Sequence, residues 1–189
     1  TKVWLGPKKH FVQYLVKGGT FLNCVCLVEQ NDWTNEDWSE QGDISELKHI
    51  FPDWHPEIQE ILESTKPSSL FKWGLHDRAP MNKWSKGRFS LLGDAAHPML
   101  PFIAQGAAMA IEDGIVLASS LSSFDNVALG LNDYENKRKY RTAKAQKTAT
   151  RNATIFHLSD FFAIFRNLVM KFFIKKIMDS FYKYDAISK

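Results

Sequence analysis

Two groups of residues in this 189-residue chain have the types and spacing to do chemistry. The first lies in the run Leu91 to Gly114, LLGDAAHPMLPFIAQGAAMAIEDG. Asp94 supplies a carboxylate that can accept hydrogen bonds from a ligand's hydroxyls. Pro98 and Pro101 fix φ and remove two backbone donors, so the stretch between them reads as stiff and extended. Gln105-Gly106-Ala107 then opens an Ala-rich helix whose first N–H groups are unpaired and whose dipole favours negative charge. Gly106 has no Cβ, which lets a flat ligand touch the backbone. Together these make a hydroxyl acceptor, a rigid wall and an anion-stabilising helix end. A buried strand, a loop and a small-residue packing helix would use the same residue types, and the pattern alone leaves that alternative open. His97, between the acid and the prolines, suits a structural hydrogen bond better than catalysis. The second group is His10 and Tyr14, whose even spacing puts both side chains on one face of a strand. They could hold a ring between them, or be an edge-strand His and a half-buried Tyr.

The elements that must position these residues are legible from pattern. Lys17-Gly18-Gly19-Thr20 separates two β-branched runs between His10 and Val28, which predicts an antiparallel hairpin. An acidic, Trp-containing linker follows over Gln30 to Gly42. Asp43 or Ser45 can cap a short helix ending before Pro52, and a second helix should start near Pro56 and run through Ile58, Ile61 and Leu62. Leu70 to His76 reads as a strand, and Arg88 to Leu92 as a short buried strand ending at Gly93-Asp94, where the carboxylate would sit at a sheet's C-terminal edge. Helices are expected over Gln105 to Leu121 and from Asp125 to about His157, the latter helped by Glu135 four residues before Lys139. In the last segment Phe161, Phe165, Leu168 and Phe172 form a stripe that Phe162, Val169 and Phe173 widen. A wide aromatic stripe points to burial in a core or against another domain, ahead of a membrane surface or partner groove.

Composition narrows the function classes. With 44% hydrophobic and 24% charged residues the chain is an ordinary soluble globular protein. A net charge of +3 is too small to imply nucleic acid. Cys24 and Cys26, the only cysteines, suit neither a disulfide framework nor a zinc site, so no metal is expected and a cytoplasmic location fits. The longest uncharged stretch, Ala95 to Ile111, is broken by Pro98, Pro101 and Gly106, which argues against a membrane span. The chain opens Thr1-Lys2-Val3-Trp4 with no initiator Met and reads as a piece of something longer.

The run GDAAHPMLPFIAQGAAMAIED, Gly93 to Asp113, resembles the second flavin fingerprint of the aromatic-ring flavoprotein monooxygenases, in the branch containing salicylate hydroxylase and 6-hydroxynicotinate 3-monooxygenase. The resemblance extends through Trp4-Leu5-Gly6, His10 to Tyr14, Gly18-Gly19, Leu22-Asn23, Trp73 to Pro80 with Asp77-Arg78, and Tyr184-Asp185-Ala186. It implies a mixed α/β (α+β) chain: the C-terminal half of a para-hydroxybenzoate hydroxylase-like fold, with an antiparallel substrate-domain sheet, a flavin-domain strand and helix, and C-terminal helices. The divisions would be 1–85 for the substrate domain, 86–124 for the end of the FAD-binding domain and 125–189 for a helical layer. FAD would be the cofactor and NADH or NADPH the reductant, with O₂ and a small phenolic or hydroxypyridine acid as substrates and hydroxylation through a flavin hydroperoxide. By the resemblance Asp94 binds the ribityl chain, and the Gln105-Gly106-Ala107 helix start meets the N1/O2 edge of the ring. Pro101 walls the cofactor, Pro98 and Phe102 line the substrate pocket, and His10 and Tyr14 handle the substrate's hydroxyl proton.

Three departures stand out. Leu15 replaces a common Pro, Lys8-Lys9 precede His10 where a loop would be expected, and no G-x-G occurs anywhere, so the strand-GxGxxG-helix that binds the ADP half is absent from these residues. The expectation is therefore a fragment whose partner is the missing N-terminal half, with a homodimer of the parent left open. A flavin monooxygenase of a non-aromatic substrate, and a non-catalytic truncated interaction module, are the rival readings.

Overall fold

The structure is a computed structural model that describes residues 1–30 and 39–187, without the side chains of 173–178. Most of the linker from Gln30 to Gly42, and Phe173 of the aromatic stripe, lie outside the described residues. Contacts divide the chain into two compact units, residues 1–29 with 76–189 and residues 30–75.

The first unit opens with a three-stranded antiparallel sheet in the order β1-β2-β3, formed by Lys2–Gly6, Lys9–Val16 and Phe21–Val28. Pro7 and Lys8 turn β1 into β2, with Lys8 at φ 57. The predicted glycine turn is present, and Gly18 and Gly19 take φ 65 and 93. Register pairs His10 with Leu5 on one side and Leu27 on the other. Phe11 and Leu27 are buried.

The same unit holds β4 (Ser85–Lys86) paired with β5 (Phe89–Ser90), then α3 (Gly106–Ser122), α4 (Val127–Phe156) and α5 (Asp160–Tyr182). Helix α4 starts where Asn126 accepts hydrogen bonds from the Ala128 and Leu129 amides at 2.9 and 3.3 Å. Two apolar clusters form the core between loop and helices. One joins Ile103, Met109, Ala145, Ala149 and Phe181; the other joins Trp84, Ala96, Val116 and Tyr134.

In the second unit α1 (Ile44–Ile50) is capped by Asp43, whose Oδ1 accepts from the Ser45 amide at 2.7 Å, and α2 (Pro56–Ser64) begins at its proline. Phe51, Ile58 and Leu62 are its buried apolar side chains.

Two strand expectations are corrected. Leu70 to His76 forms only one bridge, Gln41 to Phe71, because no other described strand lies beside it to complete a ladder. Arg88 to Leu92 is strand only at Phe89–Ser90, and Phe89, Leu91 and Leu92 are exposed, not buried. For the aromatic stripe of α5, burial in a core of the described residues is a third correction. Phe161, Phe162, Phe165, Leu168 and Phe172 are all exposed, with nothing described packed over them.

Candidate functional site

Asp94 sits in a single 3-10 turn, Gly93–Ala95, and not at the end of a strand. Gly93 takes φ 59, and a Cβ there would stand 3.2 Å from the Ala110 Cβ, so this corner needs both the left-handed backbone and the missing side chain. The chain then runs through half-buried Pro98 to a second 3-10 turn, Pro101–Ile103, and through Ala104 in the left-handed region into α3. Gln105 is buried at the N-cap, and no side chain caps the helix. The first intrahelical amide to find its acceptor is Met109, bonded to the Gln105 carbonyl at 2.9 Å, which leaves the amides of Gly106, Ala107 and Ala108 without helical partners. A Cβ on Gly106 would have only the Asp94 Oδ1 near it, at 4.0 Å. The exposed carboxylate and the open helix end therefore stand side by side.

A buried ionic hub fixes this loop. Asp113 Oδ2 accepts from the Gly93 amide at 3.0 Å and from His97 Nε2 at 2.6 Å, while Oδ1 accepts from Arg138 Nε at 2.7 Å. Burial by itself would raise the Asp113 pKa, but the hydrogen bonds from His97, Arg138 and Gly93 hold it below the ordinary carboxylate value. Glu112 closes the hub by accepting from Arg138 at 2.7 Å and from both Nε and an Nη of Arg141 at 2.6 Å. Tyr184 stacks on the Arg141 guanidinium at 3.8 Å, which docks the chain's end on the same hub. Helix α4 also holds the proline stretch directly: Gln146 Nε2 donates to the Pro98 carbonyl at 2.9 Å and Asn152 Nδ2 to that of Phe102 at 3.3 Å. His97 is thus a structural hydrogen-bonding residue, with Nε2 committed to Asp113.

The proline stretch meets the sheet at His10. This side chain is 2% exposed, and its ring centroid lies 5.0 Å from that of Phe102 and 5.5 Å from that of Phe156. Its Nδ1 lies 2.8 Å from Nε2 of His157, and His157 Nδ1 lies 2.6 Å from Glu29 Oε1. Burial, and then the neighbouring His157, push the His10 pKa down to about 4. Tyr14 lies half-buried farther along β2, and no hydrogen bond or ring contact joins it to His10.

The open helix end, the Cβ-free approach at Gly106 and the carboxylate beside it fit the ring and sugar-alcohol portion of a flavin. The family model described as "FAD binding domain" matches residues 8–149. The chain belongs to this FAD-binding domain family. Among curated relatives, 3-hydroxybenzoate 6-hydroxylase of Klebsiella oxytoca is 34% identical over 96% of this chain and 44% of its own length. The 6-hydroxynicotinate 3-monooxygenase of Pseudomonas fluorescens is 39% identical over 79% of this chain and 39% of its own. The chain thus spans less than half the length of either relative. Among solved structures, a salicylate hydroxylase substrate complex superposes with a TM-score of 0.79 over 97% of this chain and 47% of that one, at 24% identity. HpxO of Klebsiella pneumoniae, complexed with FAD and uric acid, gives 0.79 over 94% and 46%, also at 24% identity. The fold is the mixed helix-and-sheet fold of these flavin monooxygenases.

Of the residues singled out from sequence, Asp94, Gln105, Gly106 and Ala107 come together at the start of α3, and Phe102 comes into ring contact with His10. Pro98 and Pro101 bracket the loop between these two places. Sequence reasoning missed Asp113, Arg138, Gln146, Glu29 and His157. Asp113 lies inside the quoted motif, and the spacing of Arg138 and Gln146 puts them near one face of α4, which was the available signal. For Glu29 and His157, far apart in sequence, no local pattern exists.

Proposed function

We propose that this chain carries the ring-facing half of an FAD-dependent, NAD(P)H-using monooxygenase that hydroxylates a phenolic or hydroxypyridine acid. The observation that supports it most is the exposed Asp94 carboxylate beside the uncapped start of α3, on a loop that reaches buried His10 through Phe102. When bound and reduced, the flavin supplies the activation of O₂. The chain's own residues do the rest. Asp94 accepts hydrogen bonds from the ribityl hydroxyls. The Gly106 and Ala107 amides would hold the N1/O2 edge of the ring, where preorganised dipoles would stabilise negative charge without reorganising. Gln105 starts the helix that carries those amides, and Pro101 walls the cofactor. Pro98 and Phe102 line the substrate side, excluding water. His10 takes the proton from the substrate's hydroxyl, and Tyr14, on the same face of β2, orients the ring.

In this reading residues 1–85 belong to a substrate domain, 86–124 to the end of the flavin domain and 125–189 to a helical layer. The ADP-binding half lies in another part of a longer, cytoplasmic parent enzyme. The test is to titrate FMN and FAD into the 189-residue chain and follow flavin fluorescence. With only the ring-facing half of the site present, the two should bind weakly and within about threefold of each other. Asp94→Ala should weaken both by roughly tenfold or more, the scale of a lost hydrogen bond to a charged group. Strong FAD binding with weak FMN binding, or an Asp94→Ala chain of unchanged affinity, would reject this assignment.

A further inference from the structure

His10 is a poor base taken alone. It is buried at the contact of β2 with Phe102 and Phe156, and its pKa of about 4 means it cannot keep a proton near neutral pH. The titratable groups facing it are His157, from the C-cap of α4, and through it Glu29, at the end of β3. From β1 and β3 the facing partners are Leu5 and Leu27, which carry no charge.

The position of His157 is built, not incidental. Arg166 of α5 donates from one Nη to the carbonyls of Phe156 at 2.6 Å and Leu158 at 3.3 Å, bracketing His157 on both sides. The His157 carbonyl accepts from the Lys8 amide at 3.4 Å, and the Lys8 carbonyl accepts from the Glu29 amide at 2.9 Å. The β1-β2 turn thus ties both partners together through backbone. The His157 side chain is 5% exposed whereas that of Glu29 is 51% exposed, so the three residues run from buried strand to solvent.

We propose that Glu29 and His157 form with His10 a proton relay that carries the hydroxyl proton of a bound aromatic acid from the buried face of β2 to the protein surface. The tautomers follow from the geometry. The Glu29 carboxylate can only accept, so His157 carries its proton on Nδ1 and presents a bare Nε2. His10 must then donate from Nδ1, which leaves its Nε2 lone pair free for substrate. That nitrogen has no hydrogen-bond partner among the described residues. When the substrate O–H gives its proton to His10 Nε2, the His10 Nδ1 proton passes to His157 Nε2. The resulting imidazolium is on His157, against the Glu29 carboxylate, and the substrate is left as its oxyanion. Charge is conserved, and the cation ends on the ring with a counter-ion and not on the one buried among phenylalanines. His157 and Glu29 are positioning residues that act through His10.

The assignment of the donor rests on the hydroxylase reading above, so the experiment separates the two. In the intact FAD-loaded protein, without ligand, ring ¹⁵N NMR should show His10 and His157 both protonated at Nδ1; a His10 protonated at Nε2 overturns the relay whatever the substrate. With 3-fluoro-4-hydroxybenzoate as probe, ¹⁹F NMR should show the bound hydroxyl ionising about tenfold more readily than in free probe. Glu29→Gln should abolish most of that gain while leaving the binding of 3-fluorobenzoate, which has no hydroxyl, unchanged. An unaltered ionisation curve in Glu29→Gln overturns the relay. Failure of the unmodified protein to bind either acid counts against the hydroxylase reading, and the tautomer measurement then decides the relay alone.

Discussion

Asp113 and His10 are both buried and titratable, yet the fold treats them in opposite ways. Asp113 keeps its charge because the Arg138 guanidinium, His97 and the Gly93 amide converge on it. Asp113→Ala should therefore cost about 3–5 kcal/mol, since it leaves the buried Arg138 Nε, His97 Nε2 and Gly93 amide without their acceptor while Glu112 alone still pairs with Arg138. Replacing the pair together, Asp113→Leu with Arg138→Met, should cost less than the single change. Urea denaturation midpoints check both, and a double variant no better than the single would show that packing, not the unpaired charge, dominates. His10 has no such counter-charge against it, so it is held neutral. Its folded pKa of about 4 lies below the ordinary His value of 6.5, so the unfolded chain binds more protons between those limits. The stability due to neutral burial is complete above pH 6.5 and is lost as pH falls toward 4, by roughly 3 kcal/mol in all. His10→Phe should flatten that limb of the stability-pH profile, and a limb of unchanged slope would place its origin elsewhere. The acid of the loop and its proline and glycine neighbours were readable in the sequence because their chemistry is local. Glu29 and His157 were not, since only the folded sheet and the end of α4 bring them within hydrogen-bonding distance.

Elements whose signals are local follow the sequence closely. The β2-β3 turn, the Asp43 cap, the Pro56 start and the starts of α3 and α4 each depend on one or two residues and their neighbours. Asn126 is the clearest case, for its Oδ1 accepts from the otherwise unpaired Ala128 amide and from that of Leu129 at the start of α4. Asn126→Ala should lower stability by about 1 kcal/mol, whereas Asn126→Asp should be nearly neutral. Thermal denaturation distinguishes this from a tertiary role, in which Asp would also fail. The elements whose extent departed from expectation are strands, and the reason is physical. An apolar run such as Leu70 to His76 has the composition of a strand, but a ladder needs a neighbour of matching register, and that information lies elsewhere in the chain. Leu91 and Leu92 were expected to be buried on the same grounds, but they lie past the two-residue β5 and are exposed.

At the scale of the whole molecule, α5 leaves a large apolar surface without cover among the described residues. Helix α5 presents Phe161 (73% exposed), Phe162, Ile164, Phe165 (61% exposed), Leu168 and Phe172 to solvent. Phe161, Phe162, Phe165, Leu168 and Phe172 of the expected stripe share this face, whereas Val169 is half-buried, and spacing cannot say whether another part of the protein packs on the face. No helix among the described residues is long and apolar enough to cross a membrane. Contiguous apolar surface of this kind favours association, and the chain at micromolar concentration should self-associate through it. The double substitution Phe161→Ser with Phe165→Ser should raise the monomer fraction in sedimentation velocity. It should leave the denaturation midpoint almost unchanged, because side chains already in water contribute little to folding. Arg166, on the opposite side of the same helix, provides the contrast. It is buried against the end of α4, so Arg166→Ser should lower stability without relieving association. If the phenylalanine variant associates as the original chain does, the contact lies elsewhere. If it also loses stability, α5 packs more tightly than its exposure shows, and the stripe is part of the fold's own core.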